Sequence, residues 1–203
     1  MLGLKRHTVR LVPYDPRWAV LFESEAAALW ECVRNLVVDI QHVGSTAAPD
    51  MLAKPILDVA VAVTSRRVIP EVASRLARAG FVDRGDAGSD GGYLLVKELE
   101  PDVRLVHVHI VEIEDPQWQE YLTFRDALRS DPNLQRDYAD LKRGLAERHP
   151  SDRKSYTDGK QRFIRDALDR LHNVRTTEAA RSREDPRLAN PPPQPTSGAG
   201  GST

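Results

Sequence analysis

The chain is short of cysteine, of net charge and of long apolar runs. Cys32 is the one cysteine among 203 residues, which excludes an internal disulfide framework and a multi-cysteine zinc site. Its 29 lysines and arginines meet 30 aspartates and glutamates, so there is no composition-wide basic field to hold a nucleic acid. Val59-Ala60-Val61-Ala62-Val63 is as long as any apolar run, whereas a bilayer-spanning helix needs ~20 such residues. The start, MLGLKRHTVRLVPYDP, lacks the apolar stretch of a secretory signal. What is present is an ordinary globular composition, 40% hydrophobic and 29% charged, long enough to bury a sizeable core. These features predict a cytoplasmic protein with a small-molecule partner, engaging neither nucleic acid nor a membrane.

The residues from Asn173 to Thr203 contain no aromatic side chain, have Val174 and Leu188 as their only large aliphatics, and end in ANPPPQPTSGAGGST. Such a segment buries too little apolar surface to offset its ordering entropy, so a folded domain over 5–172 and a disordered tail over 173–203 are expected. Within the domain the elements alternate. Asp15-Pro16 reads as a cap and first helical residue, and Trp18, Phe22, Leu29 and Val33 recur at helical spacing, which predicts a helix over 16–34. Strands are expected at 37–43, 56–63, 81–84, 93–99 and 103–112, and a helix over 69–79 closed by Gly80. The glycine-rich stretch 85–92 is either a lid or a plain hairpin connection. Beyond Asp115-Pro116 the chain reads as helical over 116–129, 132–148 and 156–172. Strands first and helices last predict an α+β fold. Trp18, Trp30, Trp118 and Cys32 read as core residues.

The informative phrase is His42-Val43-Gly44-Ser45-Thr46, followed by Asp58 on the next strand. A Gly-Ser turn at a strand end presents backbone N–H groups and a hydroxyl, a combination that suits an anion. Strand alternation puts Leu57, Val59, Val61 and Val63 on a core face. Ile56, Asp58, Ala60 and Ala62 lie on the other. A carboxylate among small residues is hard to explain structurally, because buried carboxylates are rarely left unpaired. His107 and His109 share a strand face; they read as packing residues, as proton-transfer groups, or as transition-metal ligands with Asp58. No base is evident to activate Ser45 as a nucleophile. Arg125, Lys142, Tyr156 and Lys160 lie on the C-terminal helices, either as solvated faces or as clamps for an anionic group. Lys160, placed just after Asp158-Gly159 at an expected helix start, opposes the helix dipole there and so calls for a reason.

The run HVGSTAAPDMLAKPILDVAV resembles the signature of the GrpB family, and the likeness continues through VHVHIVE, YLTFRDALRSDP and DYADLKRGLAERHPSDRKSYTDGKQRFIRDAL. The resemblance implies a polymerase-beta-like nucleotidyltransferase fold: a small mixed β-sheet flanked by helices, with a C-terminal helical layer. In that wider fold a Gly-Ser turn binds a triphosphate, while two carboxylates at i and i+2 on the next strand and a third further on hold magnesium ions. Gly44, Ser45 and Asp58 match; Ala60 stands where the second carboxylate belongs, and the later strand carries His107 and His109. Imidazole is a poor ligand for a hard cation. The leading expectation is therefore an enzyme acting on a small-molecule metabolite by metal-independent His/Asp acid/base chemistry, such as dehydration, elimination, addition or cyclisation. Asp58, His107 and His109 are its expected catalytic residues, and Gly44, Ser45, Lys54, Arg125, Lys142, Tyr156 and Lys160 its expected substrate- or anion-binding residues, with no cofactor or metal. The alternatives are magnesium-dependent nucleotidyl transfer from a nucleoside triphosphate, and an inert module that binds a nucleotide or CoA.

Overall fold

The computed structural model describes residues 1–86 and 92–184. In chain order its elements are β1 (Leu4–Lys5), α1 (Arg17–Val33), β2 (Asp39–Val43), β3 (Leu57–Val63), α2 (Ile69–Arg78), β4 (Val82–Asp86), β5 (Tyr93–Glu100), β6 (Val103–Glu112), α3 (Pro116–Ser130), α4 (Pro132–Arg148) and α5 (Arg153–Glu184). One mixed sheet runs β2-β3-β6-β5-β4, with β1 added to β6. Only β3 and β6 pair in parallel, and both are rich in apolar residues because both of their faces are covered. The class is α+β, as the order of elements in the sequence predicts.

The two faces of β3 divide as alternation requires. Leu57, Val59, Val61 and Val63 point into the main core, packed with Trp18, Phe22, Leu29 and Val33 of α1 and with Ile69, Val72, Ala73 and Leu76 of α2. The end of α2 is fixed by paired backbone bonds, Phe81 N–H to Leu76 and Gly80 N–H to Ala77, both 3.0 Å. That is the C-terminal pattern for which a glycine after the cap is favoured. On the opposite face Ala60 and Ala62 pack with Val43, Val111 and Trp118 of α3. Small side chains on β3 let α3 approach closely. The capping aspartates fit the same scheme: Asp115 accepts from Gln117 N at 2.9 Å and Asp131 from Asn133 N at 2.9 Å, with prolines as the first residues of α3 and α4.

Within the helical layer α3, α4 and α5 meet through Phe124, Tyr138 and Phe163, whose rings lie 5.2 and 5.3 Å apart. Gly159 permits close packing of α5 on α4, since a methyl group there would meet Leu145 Cδ2 at 2.5 Å. The chain divides into a unit Met1–Leu168 and a unit Asp169–Thr203, and everything described below for the site lies in the first.

Several expectations need correction. Trp30 is 40% exposed rather than core, because it lies off the stripe formed by Trp18, Phe22, Leu29 and Val33. Cys32 is only partly buried, at the margin of the core. α5 begins at Arg153, not 156, with the Asp152 carbonyl accepting from Tyr156 N at 3.1 Å. Lys160 is therefore two turns inside the helix, and the dipole argument for it falls. α5 also continues through 173–184, which were expected to be disordered; 185–203 lie outside the described residues, as do 87–91 of the expected lid. No helix among the described residues is long and apolar enough to cross a membrane.

Candidate active site

Asp58 enters β3 one residue after the core-facing Leu57, and the parallel register sets it opposite His107 of β6, with Ala60 opposite His109. The carboxylate and both imidazoles thus rise from one sheet face toward the helical layer. Asp58 Oδ1 lies 2.9 Å from His107 Nδ1 and 3.8 Å from His109 Nε2. On its other side, His107 Nε2 lies 3.0 Å from Arg153 Nη2 at the start of α5. A guanidinium only donates, so Nε2 accepts, the ring proton sits on Nδ1, and that proton is donated to Asp58. Both nitrogens of His107 are committed. Burial pushes its pKa down to about 4 against the opposing pull of Asp58, and the imidazole is neutral at pH 7. Burial alone would raise the Asp58 carboxyl, but hydrogen bonding by His107 and His109 outweighs it and holds the group well below the usual carboxylate range.

The Gly44-Ser45 turn stands against this carboxylate. Gly44 has φ 68 and ψ −168, a region open essentially to glycine, and a Cβ there would sit 2.7 Å from Asp58 Oδ2. Ser45 opens a short 3-10 turn, Ser45–Ala47. Its Oγ accepts from Lys142 Nζ at 2.9 Å, and the same ammonium donates to the Leu52 carbonyl. His42 steadies the turn from below: its Nε2 is 3.0 Å from Thr46 Oγ1 and its ring stacks on Phe22 at 4.6 Å. Burial holds His42 at about 4, hence neutral.

These groups line one cavity of about 520 Å³ between the sheet face and α3–α5. Among the described residues Lys54, Lys142, Arg153, Lys160 and Arg165 border it, against Asp58 and Glu120 as carboxylates. Lys54 and Lys160 hold their ammonium groups 5.3 and 4.9 Å from the centre of the Tyr156 ring. Burial lowers the pKa of all three lysines, and the neighbouring cations lower it further. Tyr121 and Tyr156, also in the wall, are raised by burial and stay protonated donors.

Of the residues named from sequence, Gly44, Ser45, Lys54, Asp58, His107, His109, Lys142, Tyr156 and Lys160 come together around this cavity. Arg125 does not. Its guanidinium ties α3 to β2 instead, donating to Gln41 Oε1 at 2.8 Å and to the His42 carbonyl at 3.3 Å. Lys142, which the solvated-face reading made a surface residue, is 2% exposed. Ser45 has an amine neighbour in Lys142, where none was evident in sequence. Arg153, Tyr121 and Glu120 were missed. A signal for Arg153 existed: with Asp152 as cap, Arg153, Tyr156, Lys160 and Ile164 fall on one helical stripe, and all four line the cavity.

The donor set suits magnesium poorly. A hard divalent ion takes oxygen ligands, and Asp58 offers the only carboxylate beside the two imidazoles, whose ligand atoms with Asp58 lie within 4.8 Å of one another. Ala60 is fully buried in the cluster with Trp118, so packing closes the position of a second carboxylate.

The sequence profile described as GrpB protein matches residues 8–170. The chain belongs to the GrpB family. It is 34% identical over 174 residues to the glutamate-rich protein GrpB of Alkalihalophilus pseudofirmus, covering 84% of this chain and all 100% of that one. The crystal structure of GrpB from Enterococcus faecalis superimposes with a TM-score of 0.69 at 33% identity, over 77% of this chain and 93% of that chain. A dephospho-CoA kinase of Mycolicibacterium paratuberculosis is 30% identical over 191 residues, covering 82% of this chain but only 47% of the kinase.

Proposed function

We propose that this GrpB-family chain is a cytoplasmic enzyme that moves a proton on a small-molecule metabolite, in a dehydration, elimination, addition or cyclisation, without requiring a divalent ion. The observation that carries the reading is the single carboxylate set between two imidazoles on the floor of the cavity, with His107 pinned between Asp58 and Arg153. The roles divide. His107 is neutral with both nitrogens engaged, so it positions Asp58. Asp58, held far below the usual carboxylate range, is too weak a base to take a carbon-bound proton at neutral pH. It stabilises an imidazolium instead, as the aspartate of a catalytic triad does. His109 is then the group that accepts the proton and returns it to a leaving hydroxyl, which departs as water. Tyr121, Tyr156 and the Lys142 ammonium supply donors for an oxyanion that develops on the substrate.

The test uses the purified chain, a metabolite extract in D₂O with EDTA, and mass spectrometry. Loss of water from a metabolite, or deuterium uptake, is expected with the parent protein and absent with Asp58→Asn and His109→Gln. A magnesium-dependent gain of a nucleotidyl group would refute the reading in favour of nucleotidyl transfer, which the Gly44-Ser45 turn beside Asp58 supports. No mass change in any buffer would refute it in favour of an inert nucleotide- or CoA-binding module.

A further inference from the structure

We infer that Arg153, with Lys54, Lys142 and Lys160, takes the place of a divalent ion: the cavity binds a phosphate or pyrophosphate group of its substrate directly. The inference rests on the enzyme reading above and names the class of its substrate as a phosphorylated small molecule.

The charge inventory points this way. Five lysine and arginine side chains border the cavity against Asp58 and Glu120. A site built to hold magnesium needs the reverse balance, with carboxylates in excess to attract the metal and the metal to attract the anion. Here a divalent ion approaching Asp58 meets Arg153 at His107 Nε2. Ligation through His107 Nδ1 would also displace the proton held there and force Nε2 to carry one. Two N–H groups would then face each other across the Arg153 contact. Packing of Ala60 against Trp118 closes the position for a second acidic ligand on β3.

An anion finds the opposite. Lys54 and Lys160 both hold their ammonium groups at the Tyr156 ring, and Lys142 reaches the turn that holds Gly44 and Ser45. Each lysine is disfavoured as a cation by its own burial and then by neighbouring cations, Lys160 and Arg153 at Lys54, Lys160 and Lys54 at Lys142, and Arg153 at Lys160. That mutual repulsion is relieved by a ligand carrying two or more negative charges and is aggravated by a metal ion. Guanidinium and ammonium groups on phosphate oxygens form charge-assisted hydrogen bonds. The rest of the wall, with Phe124, Tyr138, Ile164 and Leu168, suits an apolar or aromatic remainder of the substrate, and 520 Å³ is room for one.

Inorganic pyrophosphate is the probe, titrated into the full chain by calorimetry in EDTA and then in excess magnesium. Binding is expected in EDTA and should weaken when magnesium complexes the probe. Arg153→Gln should weaken it roughly tenfold or more, Arg153→Lys by less, and Arg75→Gln, on the far helix α2, by less than about threefold, since one charge-assisted contact is worth a decade or so. Unchanged melting of the variants by circular dichroism separates loss of binding from loss of fold. Binding only with magnesium, no binding in either buffer, or equal binding by Arg153→Gln overturns the inference. Magnesium-free binding without any mass change in D₂O would leave this inference standing and defeat the proton-transfer reading alone; magnesium-dependent binding with persistent EDTA-resistant turnover would do the converse.

Discussion

Gly44→Ala is the smallest change that tests how the turn and the carboxylate depend on each other. Two costs arise. The backbone at φ 68, ψ −168 is a glycine conformation, and holding alanine there costs about 1–3 kcal/mol. The added methyl would lie 2.7 Å from Asp58 Oδ2 and 3.1 Å from Asp58 Cβ. The oxygen can rotate away, but the Cβ belongs to a central strand paired on both sides. Rotation takes Oδ1 off His107 Nδ1, a charge-assisted bond of 2.9 Å, whose loss costs roughly 1.5–3 kcal/mol. A destabilisation of about 2.5 kcal/mol or more is expected, which is a large part of the stability of an ordinary domain. Urea unfolding at neutral pH measures it, read as a fall in midpoint at constant slope. The same substitution in an Asp58→Ala background should cost less, close to the backbone share of about 1–3 kcal/mol, because the carboxylate contact and the His107 bond are gone and only the 3.1 Å contact with the Cβ remains. If Gly44→Ala unfolds at the parent's midpoint, or if its cost is the same with and without Asp58, the reasoning is wrong.

Other consequences can be checked independently. His42 and His107 are buried neutral with pKa near 4 against 6.5 when unfolded. The unfolded chain therefore binds more protons between those values, so stability is full above pH 6.5 and falls toward pH 4. The loss is on the order of a few kcal/mol in all; unfolding midpoints that stay flat across this window would sink the assignment. Lys142→Met removes a cation that burial disfavours, so pyrophosphate affinity should collapse while stability changes by less than about 1 kcal/mol, a split visible by pairing calorimetry with urea unfolding. Ala60→Asp, which places a carboxylate two residues beyond Asp58, should lower stability by ~3 kcal/mol or more, because Ala60 is fully buried beside Trp118, and yield no magnesium binding by calorimetry while Arg153 stays at His107 Nε2. Gly159→Val should loosen α5 from Leu145 and lower the melting temperature, whereas an unchanged value would mean that α4 and α5 do not pack closely there.

The sheet was legible because its signals are local. Alternation in ILDVAVAV separates a core face from a face of small residues, and capping aspartates followed by prolines mark α3 and α4. The floor of the site was legible for the same reason: Asp58, His107 and His109 are fixed by strand register alone once β3 and β6 are neighbours. The roof was not. Whether Arg125 or Arg153 reaches the cavity depends on how α3 and α5 are rotated against the sheet, and the stripe Arg153, Tyr156, Lys160 and Ile164 emerges only when Asp152 is taken as the cap of α5. Placing the start of α5 three residues late hid Arg153 and turned Lys160 into a helix-end residue. Trp30 erred in the other direction, since an aromatic within an apolar stretch such as AAALW reads as core wherever it falls on the helix.

The pairing of Ala60 with Arg153 has a physical logic that neither position shows alone. With alanine at position 60, Trp118 of α3 settles on the sheet, and that packing closes the wall where a second carboxylate on β3 would stand. Asp58 is then left with two imidazoles and no second carboxylate, a weak attraction for a hard cation. The missing positive charge is supplied from α4 and α5, by Lys142, Arg153 and Lys160, on side chains that cannot be lost to a chelator. A chain that kept the second acid would need to lose the guanidinium at His107 Nε2 to admit an ion. The two features act together against a hard cation, and the double variant Ala60→Asp/Arg153→Gln should bind magnesium by calorimetry where neither single variant does. Magnesium binding by the parent chain at the same strength would mean that Arg153 does not exclude the ion.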